Sequence, residues 1–477
     1  MPTSVLFPER TTLLPVLAGA LLVVTGCAGT GGVSGEVDRS EKLRPIDEEA
    51  TEETTALYAN LGAVANEHVL FGHQADLAYG VHWDRRSDSL ARAAGDRRSD
   101  VKSVTGSYPA VYGWDVGDIS QPEAAENLDG VPFDKMKNWI VEGHERGGVI
   151  TVSWHMNNLV SGGSAWDTTP AVSKLLPDSS HHEAYRRALD RFAAFATDVE
   201  AGFWSWIGGG HPVPIIFRPF HEMTGGWFWW GGDNTTPAAY KRLWRFTVEY
   251  LRDEKEVHNL LYAYSPDIIE SKADYLRYYP GDAYVDILGY DDYHTLPATF
   301  ADTMRVDTVA VDTLSLAAAD TVAVPEPKAG RTVLTDTVAA DTAAGPPVVR
   351  RTTVDSVRIP PDTIEARAAT TLAERFRTVV QLADEHGKVP AYTETGYEGI
   401  PDSTWWTDRL LPVLTSDSTT RRLAYVLVWR NANNTKKPGH FFAPYPGHPS
   451  ARNFVRFRND PLIYFEDELP PMYALPK

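Results

Sequence analysis

Cysteine is almost missing from this chain: there is one in 477 residues. That excludes a disulfide framework and any cysteine-based zinc site. Positive charge is also in deficit, with 45 Lys and Arg against 64 Asp and Glu and a formal net charge of −19. A nucleic-acid binder needs a basic stripe to meet phosphates, so that class is set aside. The Gly-rich phosphate loop and the dinucleotide fingerprint are both absent, which removes the common nucleotide-dependent chemistries. The longest early apolar run, Leu13–Val24, has 12 residues. It is too short to span a bilayer as a mature helix.

That run has the length of a signal-peptide core. It ends in Val24-Thr25-Gly26-Cys27, which resembles a bacterial lipobox, and the single cysteine of the chain falls on the lipidation position. The expectation is a signal peptide over 1–26, lipidation at Cys27 and a tether over 27–46. The protein would then be anchored through lipid to the outer membrane or cell surface, and Ala28 in place of Asp favours that sorting. A plain cleaved signal with secretion is the other reading.

Hydrophobic residues make up 43% and aromatics 11% of the chain, enough for a large core. From about Glu48, short apolar runs alternate with amphipathic stretches. Eight candidate strands follow in order: His68–Phe71, Ala110–Trp114, Val149–Trp154, Pro214–Phe217, Asn259–Tyr264, Val285–Tyr290, Val389–Tyr392 and Ala424–Trp429. Helical patterns lie between most of them; Tyr185, Leu189, Phe192, Phe195 and Ala196, for example, recur at helical spacing. Strand–helix alternation predicts a parallel sheet, and eight repeats predict an α/β fold of the closed (β/α)8 (TIM) barrel type. The catalytic domain is expected over 47–300 and 371–470. Between these parts, 301–370 contains no Phe, Tyr or Trp and repeats Asp-Thr at Asp302, Asp307, Asp312, Asp320, Asp336, Asp341 and Asp362. It reads as a low-complexity, mostly disordered insertion after the sixth strand. Its Val/Thr alternation leaves a small β-element as the other reading.

In such barrels the reacting groups sit just past the C-terminal ends of the strands. Those positions carry His73 and Gln74, Asp115, His155 to Asn158, Arg218 to Glu222 with Trp227 to Trp230, Asp291 with Tyr293 and His294, Glu394, and Trp429 to Asn431. Tryptophans stack on the apolar faces of sugar rings, and amides, carboxylates and imidazoles bond their hydroxyls. Two glutamates, on strands four and seven, face each other across the barrel mouth. That placement suits cleavage of a glycosidic bond. Nothing in this inventory calls for a cofactor or a metal. His181-His182 reads as a surface pair at a helix start, and Trp229 and Trp230 as packing residues.

The segments FGHQ (71–74), WHMNN (154–158), RPFHEMTGGWFWWG (218–231), YAYSPD (262–267), LGYDDYH (288–294), TETG (393–396) and VLVWRNA (426–432) resemble the family 26 glycoside hydrolases, chiefly endo-β-1,4-mannanases. The resemblance runs from about residue 50 to 460 and skips the insertion. It implies a retaining (β/α)8 hydrolase with Glu222 as acid/base and Glu394 as nucleophile. It further implies that His221 bonds the sugar or the nucleophile, and that Trp227 stacks beside the cleaved bond. Tyr293 would bond the nucleophile, and His155 and Trp429 would line the subsite that is cleaved. Arg218, Asp291 and Trp166 follow from motif neighbourhood. The expected partner is a β-mannan or related plant or algal polysaccharide, acted on by a monomer. A β-1,3-xylanase or mixed-linkage β-glucanase of the same family, or a non-catalytic surface glycan-binding lipoprotein, are the competing readings.

Overall fold

A computed structural model describes residues 43–89, 98–202, 210–295 and 361–475, together with the backbone of 304–315, 331–338 and 348–358. The side chains of 361–369 and all of 1–42, including Cys27, lie outside the described residues.

Eight parallel strands close on themselves: β1 Val69–Gln74, β2 Val111–Asp115, β3 Val149–Trp154, β4 Ile215–Pro219, β5 Leu260–Tyr264, β6 Ile287–Asp292, β7 Val389–Thr395 and β8 Tyr425–Val428. β8 pairs back onto β1, with Leu70 opposite Tyr425 and His73 opposite Val428. Every residue of these strands is buried, as expected where helices cover the outside and side chains fill the inside. The strand-to-strand order is thus the one the eight apolar runs predict.

Two helices show how the sequence builds the shell. His182–Asp198 buries Tyr185, Leu189, Phe192, Phe195 and Ala196, the face read from spacing. It stops at Asp198, because Glu200–Ala201 turns to pair with His211–Pro212. Glu52–Val64 lies across the N-terminal end of the barrel. Thr51 caps it by accepting from the Thr54 amide. Its Leu57, Tyr58, Leu61 and Val64 share one core cluster with the inward strand residues Leu70, Val111, Val149, Ile216, Leu261 and Ile287. Tyr58 also donates its hydroxyl to the Asp286 carbonyl at 2.9 Å. The floor is therefore sealed, and only the opposite, C-terminal end is left to hold a ligand.

The packed chain begins before residue 47. Leu43 is buried in the floor cluster, and the Ile46 amide donates to Asp286 Oδ1 at 2.8 Å. It also passes 470, since Met472 is buried there. Within 301–370 three stretches are described by their backbone. Met304–Ser315, Arg331–Val338 and Val348–Arg358 pair antiparallel, with the third strand between the other two. The physical reason is the alternation of β-branched Val and Thr, which favours extended backbone even without aromatics. The helix entering β7 starts at Pro361, inside the expected insertion, and runs to His386.

Candidate active site

Glu222 sits three residues past β4, in a turn that no ordinary loop would adopt. Phe220 (φ 49°) and Glu222 (φ 55°) are both in the left-handed region without being glycine. Each such residue costs about 1–3 kcal/mol and survives only where surrounding contacts enforce it. Here the enforcement comes from the aromatic stretch that follows. Trp230 Nε1 donates to the His221 carbonyl at 2.8 Å, and Trp229 Nε1 to the Met156 carbonyl at 2.9 Å. Tyr240 donates its hydroxyl to the Phe220 carbonyl at 2.9 Å. The Glu222 amide donates to the Ser265 carbonyl on the neighbouring β5 edge at 2.8 Å. Trp229 and Trp230 are fully buried, so their job is to fix this turn.

Trp227 differs from its two neighbours. Its indole lies over Gly225, where a Cβ would meet the ring at 2.2 Å, so only glycine admits it there. In that place Trp227 Nε1 donates to Glu222 Oε2 at 2.8 Å. Glu222 is otherwise buried. Burial, then the carboxylates of Glu394, Asp291 and Asp267, push its pKa well above the usual carboxylate range. A carboxyl in that setting holds its proton to higher pH than an ordinary one and can act as an acid.

Glu394, on β7, stands in a different setting. Tyr293 donates its hydroxyl to Oε1 at 2.8 Å, and the Arg218 guanidinium donates to Oε2. Both oxygens thus meet donors, the arrangement an ionised carboxylate accepts. Arg218 also reaches Asp291 Oδ2 at 2.6 Å and Ser265 Oγ at 3.2 Å. Asp291 in turn accepts from Ser265 Oγ at 2.9 Å and Thr393 Oγ1 at 2.5 Å. Burial first, opposed by Arg218 and reinforced by Glu394, pushes the Asp291 pKa to about 8. One oxygen from each of Glu222, Asp291 and Glu394 lies within 4.8 Å of the others. That separation suits retention, for which about 5–5.5 Å is usual; inverting enzymes hold their carboxyls about 6.5–9.5 Å apart to admit a water.

His155 forms the third part. Its Nδ1 lies 2.7 Å from Asp115 Oδ2, and its Nε2 lies 3.2 Å from His221 Nε2. Burial disfavours the charged imidazole of His155, but Asp115 outweighs it and lifts the pKa above the ordinary value. For His221, burial, then Arg218 and His155, push the pKa well below it. One of the two Nε2 atoms thus donates to the other, while His155 Nδ1 faces Asp115. Trp166, half exposed, stacks on the His155 ring at 5.2 Å and 17°.

These groups open onto a cleft of about 500 Å³. Of the residues read from sequence, Glu222, Glu394, His155, Trp166, Trp227, Tyr293 and Trp429 line it. Arg218, Asp291 and His221 lie beneath it, all buried. Arg218 and His221 contact lining residues, Asp291 contacts Arg218, and His221 faces His155 rather than Glu394. His73 is buried against Asp76 at 2.8 Å, as a support. Sequence reading gave Asp115 and Ser265 no role, although they orient His155 and Arg218. It also passed over Tyr397, Glu398, His440 and Phe442, which bound the cleft from the loops after β7 and β8. His440 Nδ1 lies 2.6 Å from Glu398 Oε1. For Glu398 the one available signal was its place four residues past Glu394; His440 carries none.

The family model of Glycosyl hydrolase family 26 matches residues 46–324, more than half of the chain. The chain belongs to glycosyl hydrolase family 26. Among solved structures, a family 26 β-mannanase from Bacteroides ovatus superimposes with a TM-score of 0.68 at 34% identity, covering 89% of this chain and 98% of that one. A modular endo-β-1,4-mannanase from Cellulomonas fimi does so with a TM-score of 0.66 at 31% identity, covering 91% and 79%. Among curated proteins, a mannan endo-1,4-β-mannosidase of Bifidobacterium adolescentis is 36% identical over 272 residues, 56% of this chain and 25% of that protein. One from Bacillus subtilis is 33% identical over 220 residues, 43% of this chain and 55% of that protein. The chain thus spans between a quarter and about half of the curated relatives' length.

Proposed function

We propose that this family 26 member is a retaining endo-β-1,4-mannanase. The observation that carries the reading is the pair of glutamates with opposite environments in one cleft: Glu222 buried among carboxylates, which raise its pKa, and Glu394 held by Arg218 and Tyr293. In this reading Glu394 attacks the anomeric carbon while Glu222 gives its proton to the departing glycosidic oxygen. Glu222 then takes a proton from the water that releases the glycosyl group. Trp227 and Trp166 offer faces for stacking pyranose rings, and Trp429 flanks the reacting sugar. That the similar proteins above are mannanases supports mannan over other β-glycans.

The test is product release by the whole chain from mannan, galactomannan, β-1,3-xylan and barley β-glucan. Manno-oligosaccharides of several lengths, with an early fall in viscosity, are expected from the first two. Products only from xylan or glucan would replace the substrate assignment, and none from any polysaccharide would favour a glycan-binding protein.

Localisation at the cell envelope through lipid on Cys27 belongs to the same proposal. Its support is the lipobox-like Val24–Cys27 and the placing of the only cysteine there. In a bacterial host, Cys27→Ala is expected to move the enzyme from the membrane fraction to the soluble fraction. Unchanged fractionation would remove the anchor.

A further inference from the structure

A second cluster lies at the sealed end of the barrel, outside the cleft. Glu53 comes from the first turn of the floor helix Glu52–Val64. His144 comes from the last turn of the helix Phe133–Glu145, which leads into β3. His211 comes from the short strand that leads into β4. One potential ligand atom from each lies within 4.8 Å of the other two. Glu53 Oε1 is 3.1 Å from His211 Nε2, and Glu53 Oε2 is 3.6 Å from His144 Nε2. Around a tetrahedral zinc with bonds of about 2.0–2.1 Å, ligand atoms sit about 3.3–3.4 Å apart, between those two distances.

The polar atoms are poorly explained as a hydrogen-bonded group. Glu53 Oε2 and His144 Nδ1 are buried without a hydrogen-bond partner among the described residues. Leaving such groups unpaired is costly, and a shared ion would satisfy the carboxylate oxygen directly. His144 is buried and packed edge-on against Tyr473 at 4.2 Å, which fixes its ring. His211 is exposed, giving an entry route and leaving room for water as a fourth ligand. Two imidazoles with one carboxylate suit zinc-class cations rather than calcium or magnesium, which prefer oxygen ligands.

We propose that Glu53, His144 and His211 form a site for one divalent transition cation of the zinc class, clamping the floor helix to the chain where it enters β3 and β4. The test uses the full chain, untagged and stripped of metal by chelation. Titration with ZnCl2 is expected to show one equivalent bound. CoCl2 is expected to give the visible absorption of a tetrahedral cobalt site. At about 100-fold Zn²⁺ excess over Kd, Tm should rise by about 4 °C. His211→Ala, on the surface, and Glu53→Gln, close in shape, should each weaken Zn²⁺ binding by at least ~100-fold while leaving glycan hydrolysis by the metal-free protein unchanged. Absence of the cobalt spectrum and of the Tm shift, or their persistence at full strength in both variants, would overturn the proposal.

Discussion

Glu394→Ala is expected to remove mannan hydrolysis by at least ~10⁴-fold, with no recovery on substrates carrying better leaving groups, because without the nucleophile neither step of the double displacement can begin. Glu222→Ala should behave differently. Loss of a general acid costs about 10²–10⁴-fold where the leaving group needs a proton, and little where it does not. An aryl mannoside with an acidic phenol should therefore show a rapid burst followed by slow turnover, since the base for the second step is also gone. Added azide, which needs no general base, should speed that second step. The pH profile supplies an independent check with a definite sign. Burial and the neighbouring carboxylates raise the Glu222 pKa, so the acid is present below that value and activity falls as pH rises through it. This alkaline limb should vanish in Glu222→Ala on the activated substrate. An unchanged limb, or native-rate mannan hydrolysis by Glu222→Ala, would exchange or remove the assigned roles.

Much of the frame behind those roles was readable from sequence because its physics is local. Eight apolar runs bounded by turns become eight strands, since a strand buried on both faces has no polar alternation to hide it. Glu222 and Glu394 could be singled out because strand ends in a barrel all point to one mouth. What escaped is set by contacts between distant segments. Ser265 joins Arg218 and Asp291 from just past β5 with no local pattern that marks it, and the strand-end place of Asp115 does not tell that it grips His155. The burial of Arg218, Asp291 and His221 beneath the cleft likewise follows from packing depth, which periodicity does not encode. His440 reaches the cleft from a loop without periodicity. The left-handed backbone at Phe220 and Glu222 is legible only with hindsight, as the reason three tryptophans crowd the following residues. In the insertion, composition argues for disorder while the Val/Thr alternation argues for strands, and the two signals come from the same residues.

The buried cation beneath the cleft carries the second large effect. Arg218 is 3% exposed and is the cation that contacts both Asp291 and Glu394. Burial disfavours its charge, but those two carboxylates outweigh burial and raise its pKa, so it stays charged. In Arg218→Met the side chain keeps its bulk, but two buried carboxyls lose their counter-charge. Breaking a buried ion pair from one side costs about 3–5 kcal/mol, because the remaining charge is stranded. Loss of a positioned electrostatic partner at a reacting group costs about 10²–10³-fold in kcat. The pH dependence tells this cause from simple loss of packing. With Arg218 present, burial already holds Asp291 at about 8; without it, Asp291 is pushed higher. A carboxyl whose folded pKa lies above its unfolded value binds more protons when folded, so stability declines as pH rises. The Tm gap between the wild-type chain and Arg218→Met should accordingly narrow as pH falls through about 8, and level off below it, where Asp291 is protonated in both. Arg218→Lys keeps a charge but loses the fork that bridges two carboxylates, so it should recover much of the stability and little of the kcat. A Tm gap that is constant with pH, or a lysine variant with native kcat, would reduce Arg218 to a packing residue.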